Sequence, residues 1–257
     1  MKRGQITLFV ILAIAIIIVV VFVFNVQIRN SIKNVFVPST PETQFGDCVS
    51  PMLKENLNLI MKQGGNIIPQ NYILDNDVKI EYLCFTNQYY QTCKLQQPLL
   101  KQHIERQLLE KIKASANACA EQLKTNLESK GYRIISDGKE ASVEILPNKI
   151  KIGIPGLSFQ KDDKVQANTN FGYTYNTNLY EMIMIANSIL NYESVYGDSD
   201  TTVYMFYYPG TIVEKNKKSD GSKIYTIRND KEKFVFASRS LSWPPGYGGL
   251  PEFVPAR

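Results

Sequence analysis

The sequence predicts an α+β protein, a long N-terminal transmembrane helix followed by an extracytoplasmic head of helices, antiparallel hairpins and a meander. Three observations predict it. Residues 6–24 form an unbroken uncharged run in which every residue but Thr7, Ala13 and Ala15 is Ile, Val, Leu or Phe. Beyond the run, helical and alternating apolar patterns come in separate blocks, not as strictly alternating parallel units. All four cysteines, Cys48, Cys84, Cys93 and Cys119, follow the run.

At about 1.5 Å per residue the run nearly spans a hydrocarbon core of about 30 Å, and its large apolar side chains favour insertion. Ala13-Ile14-Ala15 is small-x-small but lies inside the run, which argues against ordinary signal-peptidase cleavage. Basic residues flank both ends, Lys2 and Arg3 on one side, Arg29 and Lys33 on the other, so charge leaves the orientation open. The cysteines break the tie. With no Cys-x-x-Cys and His103 as the single histidine, disulfides in an oxidising compartment fit better than zinc. The chain is therefore expected at the cell membrane and cell surface, N-terminus cytoplasmic and head outside, with membrane lipid as a partner.

Ile28, Ile32, Val35 and Phe36 continue the helix outward as an amphipathic stem that Pro38 and Pro41 end, which bounds a first segment at 1–37. A helix is expected from Glu42 to Gln63, because Phe45, Cys48, Val49, Met52, Leu53, Leu57 and Ile60 recur at three- and four-residue intervals and Gly64-Gly65 stops it. Asp77–Phe85 alternates as a strand, with Tyr89–Lys94 as its hairpin partner. A stripe from Leu99 to Leu123 predicts a helix from Pro98 to Lys130, with a possible break near Ser115 and Gly131 as its end. These elements make a helical and hairpin subdomain, 42–130.

A second subdomain, 131–257, is expected to be an antiparallel α+β unit. Tyr132–Ser136, Ala141–Leu146 and Lys149–Ile154 read as strands, the last two joined at Pro147-Asn148. Gly156–Asn178 reads as loop or irregular strand. Leu179, Met182, Ile183, Ala186, Ile189 and Leu190 predict a helix over Leu179–Tyr192. Strands are expected at Thr201–Tyr208, at Thr211–Ile227 folded at Asp220-Gly221, and at Lys233–Ser238.

The charge, +5 from 29 Lys and Arg against 24 Asp and Glu, is scattered, and no segment gathers the basic block that nucleic acid requires. Any Ser-His-Asp or Cys-His arrangement would depend on His103, which falls mid-helix in a polar stretch that reads as solvated. Asp75-Asn76-Asp77 and Asp198-Ser199-Asp200 lack the Gly and distal Glu of a calcium loop and read as turns before strands. Gly246-Tyr247-Gly248-Gly249 lacks the context of a phosphate loop. Tyr204, Phe206, Tyr207 and Tyr208 place aromatics on both faces of one strand, as suits a central, buried strand. Trp243 and Tyr247, set in a Pro/Gly loop, are interface candidates. Catalytic residues, cofactor and metal are expected to be absent. Four cysteines allow three pairings; Cys84 to Cys93 across the hairpin and Cys48 to Cys119 between two helices are the expected ones.

Lys2-Arg3-Gly4-Gln5-Ile6-Thr7, directly before the apolar run, resembles the class III leader of archaeal type IV pilin-like proteins. The resemblance covers about the first 25 residues, and the head is similar to uncharacterised membrane-anchored archaeal proteins. It implies cleavage between Gly4 and Gln5 by a prepilin peptidase, and a helix that packs with its copies in a homo-oligomer or filament. Phe9 stands where many pilins carry Glu. The function expected is that of a non-enzymatic, pilin-like surface protein for structure or interaction. Alternatives are a singly acting tethered ectodomain that binds a ligand or envelope partner and, more remotely, an extracellular hydrolase.

Overall fold

The computed structural model describes residues 12–14, 16, 40–161, 164–166 and 171–242. The chain divides into two units, Met1–Gln44 and Phe45–Arg257. In the first, Leu12, Ala13, Ile14 and Ile16 are helical. Near its end the Thr43 N–H donates to the Thr40 hydroxyl (3.2 Å), an N-cap just ahead of Pro41, which stands at the first helical position.

The expected transmembrane helix needs correction. Among the described residues no helix is long and apolar enough to cross a membrane. The longest, Leu100–Ser129, carries charges on nearly every turn, among them Lys101, Glu105, Glu110, Lys113, Glu121 and Lys124, and hydrocarbon would strip these of water at several kcal/mol each. Most of the run 6–24, with Gly4 and Gln5, lies outside the described residues.

In chain order the elements are α1 (Pro41–Lys62), β1 (Tyr72–Asp75), β2 (Val78–Phe85), β3 (Lys94–Leu95), α2 (Leu100–Ser129), β4 (Arg133–Asp137), β5 (Ser142–Leu146), β6 (Lys149–Gly153), β7 (Leu157–Lys161), β8 (Lys164–Gln166), β9 (Gly172–Asn176), α3 (Leu179–Tyr196), α4 (Thr202–Tyr207), β10 (Ile212–Lys217), β11 (Ser222–Arg228) and β12 (Lys233–Arg239). A mixed sheet runs β1-β2-β12-β11-β10, with β3 also on β2. Two antiparallel three-stranded sheets, β4-β7-β8 and β5-β6-β9, complete the fold. The β2–β12 pair is parallel, so a strand from early in the chain is locked beside the last of the described strands.

Alternation sorts the sheet's side chains. Phe234 and Phe236 of β12 join Tyr225 and Ile227 of β11 in the main core, whereas Val235, Ala237, Ile224, Ile80 and Tyr82 form a small cluster of their own. Helix α3 touches α2 and strands β2, β3, β5, β11 and β12, and its buried face is Met182, Ile183, Ala186, Ile189 and Leu190. Two disulfides tie the unit: Cys48 of α1 to Cys119 of α2, and Cys84 of β2 to Cys93 just before β3.

Four elements depart from the sequence reading. Helix α2 runs through Ser115 unbroken because Ile112, Ala116 and Cys119 keep its apolar stripe continuous. Only Lys94–Leu95 pairs with β2, so most of the expected Tyr89–Lys94 partner is loop, with Tyr89 and Tyr90 exposed. The stretch after Gly156 holds three strands, β7 to β9, whose alternation is hard to see among polar edge residues. Thr201–Tyr208, expected as a strand, contains helix α4. The helix is 6 residues long, and Val203/Tyr207 and Tyr204/Tyr208 fall on helical i, i+4 spacings.

One close approach fixes the β6–β9 pair. A Cβ on Gly172 would lie 2.2 Å from the Ile152 carbonyl oxygen and 2.7 Å from the Gly153 Cα, both backbone atoms. Gly172→Ala is therefore expected to cost about 1–3 kcal/mol by overpacking, read as a lower denaturant midpoint. An unchanged midpoint would mean that the two strands can part without loss.

Candidate functional site

The sequence candidates fall in different places. His103 is buried, a correction to its solvated reading: Arg106 donates to Nδ1 (3.3 Å), which leaves Nε2–H to donate to the Asn66 Oδ1 at 2.7 Å. Burial, and then the Arg106 charge, lower its pKa, so it is a neutral side chain that ties α2 to the loop after α1. Asn76 and Asp77, both at positive φ, form the two-residue turn between β1 and β2. Trp243, Tyr247 and the Gly246–Gly249 loop lie outside the described residues. No group of three or more His, Cys, Asp or Glu placed to hold a metal occurs among the described residues.

Asp198-Ser199-Asp200 is more than a turn. Gly197 ends α3 in the left-handed region (φ +79°), where its N–H donates to the Glu193 carbonyl, and the chain then bends directly into α4 instead of a strand. Asp198 is buried and accepts from Lys215 (2.8 Å) and Lys217 (2.9 Å), with Lys223 at 3.4 Å. Burial pushes its pKa up, but the lysine hydrogen bonds and the Lys223 charge outweigh it and hold the carboxyl at about 2. Behind it Glu193, fully buried, takes both carboxylate oxygens to Lys223 Nζ (2.9 and 2.8 Å) and accepts from the Tyr225 hydroxyl. Lys223 also donates to the Gly197 carbonyl, and Lys215 to that of Ser199 (2.7 Å). These lysines fix the backbone of the α3–α4 corner.

Around that corner, among the described residues, several large apolar side chains are exposed. Tyr192, Val195 and Tyr196 of α3 and Val203, Phe206 and Tyr207 of α4 are all exposed, Phe206 at 80% and Tyr207 at 70%. This corrects the expectation that the 204–208 aromatics are core. Of the four, only Tyr204 is buried, and its hydroxyl lies 3.0 Å from the Ser188 Oγ. Between the helices opens a cleft of ≈ 520 Å³ lined by Ser188, Tyr192, Ser199, Asp200, Tyr204 and Tyr207, among others.

No protein-family profile, curated protein or solved structure matches this chain. The site therefore rests on its own geometry. Sequence reasoning missed the cleft because it ended the helix at Tyr192 and made a strand of 201–208. The signal available was the Tyr192/Tyr196 pair, an i, i+4 aromatic spacing off the buried stripe.

Proposed function

We propose that the chain is a non-enzymatic surface protein of an oxidising, extracytoplasmic compartment, and that its head engages a partner through the aromatic face of α3 and α4. The single observation that carries this reading is the set of seven exposed apolar and aromatic side chains, Tyr192, Val195, Tyr196, Val203, Met205, Phe206 and Tyr207, on the C-terminal part of α3 and the adjacent α4. Water exacts a free-energy cost for each such side chain, and contiguous apolar patches on folded proteins mark interaction sites. Aromatic residues are enriched in the buried centres of interfaces. The two disulfides support the compartment, since such bonds persist where thiols are not kept reduced.

A photo-reactive benzoylphenylalanine placed at Phe206 of the full chain tests it. Illumination of native surface material is expected to yield a discrete crosslinked species, while the same group at the exposed Lys79 of β2 yields none. No discrete product from position 206, or equal products from both positions, would overturn the reading.

A further inference from the structure

We infer that the α3–α4 cleft is a binding site for a neutral saccharide, a step that rests on the interaction reading above and names the ligand class of that face. Ser199 is 2% exposed, it lines the cleft, and its buried hydroxyl oxygen has no hydrogen-bond partner among the described residues. A buried polar group left unpaired costs free energy, and a rotation of the Ser199 side chain toward the cleft would let a ligand hydroxyl return it. Beside it stand two further hydrogen-bonding groups, the Ser188–Tyr204 hydroxyl pair and the Asp200 carboxylate, whose Oδ1 also accepts from the Thr202 N–H at 2.9 Å. The walls are the half-exposed Tyr192 and the exposed Tyr207.

Aromatic walls around a few convergent polar groups, in a volume within the range of about 300–1,000 Å³ usual for small-ligand sites, narrow the chemistry. An anion is disfavoured because no Lys or Arg side chain lines the cleft and Asp200 does. A quaternary ammonium suits tyrosine faces but has no donor or acceptor for Ser199. A wholly apolar ligand would bury the Ser199 hydroxyl and the Asp200 carboxylate without partners. A pyranose meets both demands: its C–H face lies on tyrosine rings, and its ring hydroxyls both donate and accept. The site binds and does not hydrolyse, since glycoside hydrolysis takes two carboxylates across the scissile bond and Asp200 is the single carboxylate among the described lining residues.

The test uses the full chain, with saturation-transfer NMR and calorimetry against methyl α-mannoside, methyl β-galactoside and N,N′-diacetylchitobiose. At least one is expected to bind saturably, with transfer strongest to C–H protons of one ring face. Tyr207→Ala and Ser199→Ala should each weaken binding about tenfold or more, and Leu74→Ala, at an exposed position on β1 away from the cleft, should leave it unchanged. Ser199→Ala removes a hydroxyl that has no partner, so its thermal midpoint should hold while affinity falls, which separates lost binding from lost fold. Absence of saturable binding by all three glycosides overturns the proposal, as does binding undiminished in both cleft variants, or displacement of the sugar by tetramethylammonium. A position-206 crosslink with no sugar binding defeats the saccharide alone, whereas sugar binding with no crosslink defeats only the partner interface.

Discussion

Replacing Cys48 by Ser together with Cys119 by Ala is expected to lower the stability of the folded unit by roughly 4 kcal/mol, the larger of the two disulfide effects. The Cys48–Cys119 bond closes a sequence separation of 71 residues, and in the chain-entropy account the loss of unfolded-state freedom grows with the logarithm of the loop. The same relation gives roughly 2.5 kcal/mol for Cys84–Cys93, which closes a separation of only 9. Alanine is the choice at 119 because that site is buried and a serine hydroxyl there would add a desolvation cost of its own. Position 48 is exposed and takes serine freely. For a unit of this size the long-loop variant should melt about 8–16 °C below the parent, as read by calorimetry, and the short-loop variant should fall between them. Equal losses from the two pairs would show that native-state strain, not loop closure, sets their contributions.

The long loop also shows what the sequence could convey. Cys48 and Cys119 each lie on an apolar stripe of helical period, so α1 and α2 were readable from spacing, as were the β5–β6 hairpin at Pro147-Asn148 and the β10–β11 turn near Asp220-Gly221. Local signals carried those elements. The parallel pairing of β2 with β12 carries no local signal, because it joins positions such as Tyr82 and Ala237 that only the closed core brings together. The candidate site failed to show for a related reason. Tyr204, Phe206, Tyr207 and Tyr208 have strong strand propensity, and that propensity was overridden by the corner at Gly197 and Asp198, which is held by lysines on a distant hairpin. Ser199 is unremarkable as a sequence letter. It becomes informative only once its burial and its unpartnered hydroxyl are known.

Lys223→Met is expected to cost about 3–5 kcal/mol, because it leaves the fully buried Glu193 carboxylate with the Tyr225 hydroxyl but without its cation. Glu193→Gln should cost less. It keeps an acceptor for Tyr225, and Lys223 retains the Gly197 carbonyl and Asp198 at 3.4 Å. The two variants, compared by denaturant unfolding near neutral pH, test that asymmetry, and a larger loss from Glu193→Gln would contradict it. Acid adds a second reading of the same corner. Asp198 titrates at about 2 in the folded protein against an ordinary 3.8, so its folded-state pKa is depressed and its stabilisation is present above 3.8 and lost as pH falls through about 2. That difference corresponds to about 2 kcal/mol, and the Asp198 side chain, 8% exposed, is little screened by solvent. In Lys215→Met the carboxyl loses one of its hydrogen-bonded cations, so the acid limb of the stability curve should move to higher pH. Lys215 also holds the Ser199 carbonyl at 2.7 Å, and this makes stability and ligand binding separable. If the corner positions Ser199 for the cleft, Lys215→Met should weaken sugar binding even at a pH where the head remains fully folded. Unchanged affinity there would leave the lysine with a purely structural role.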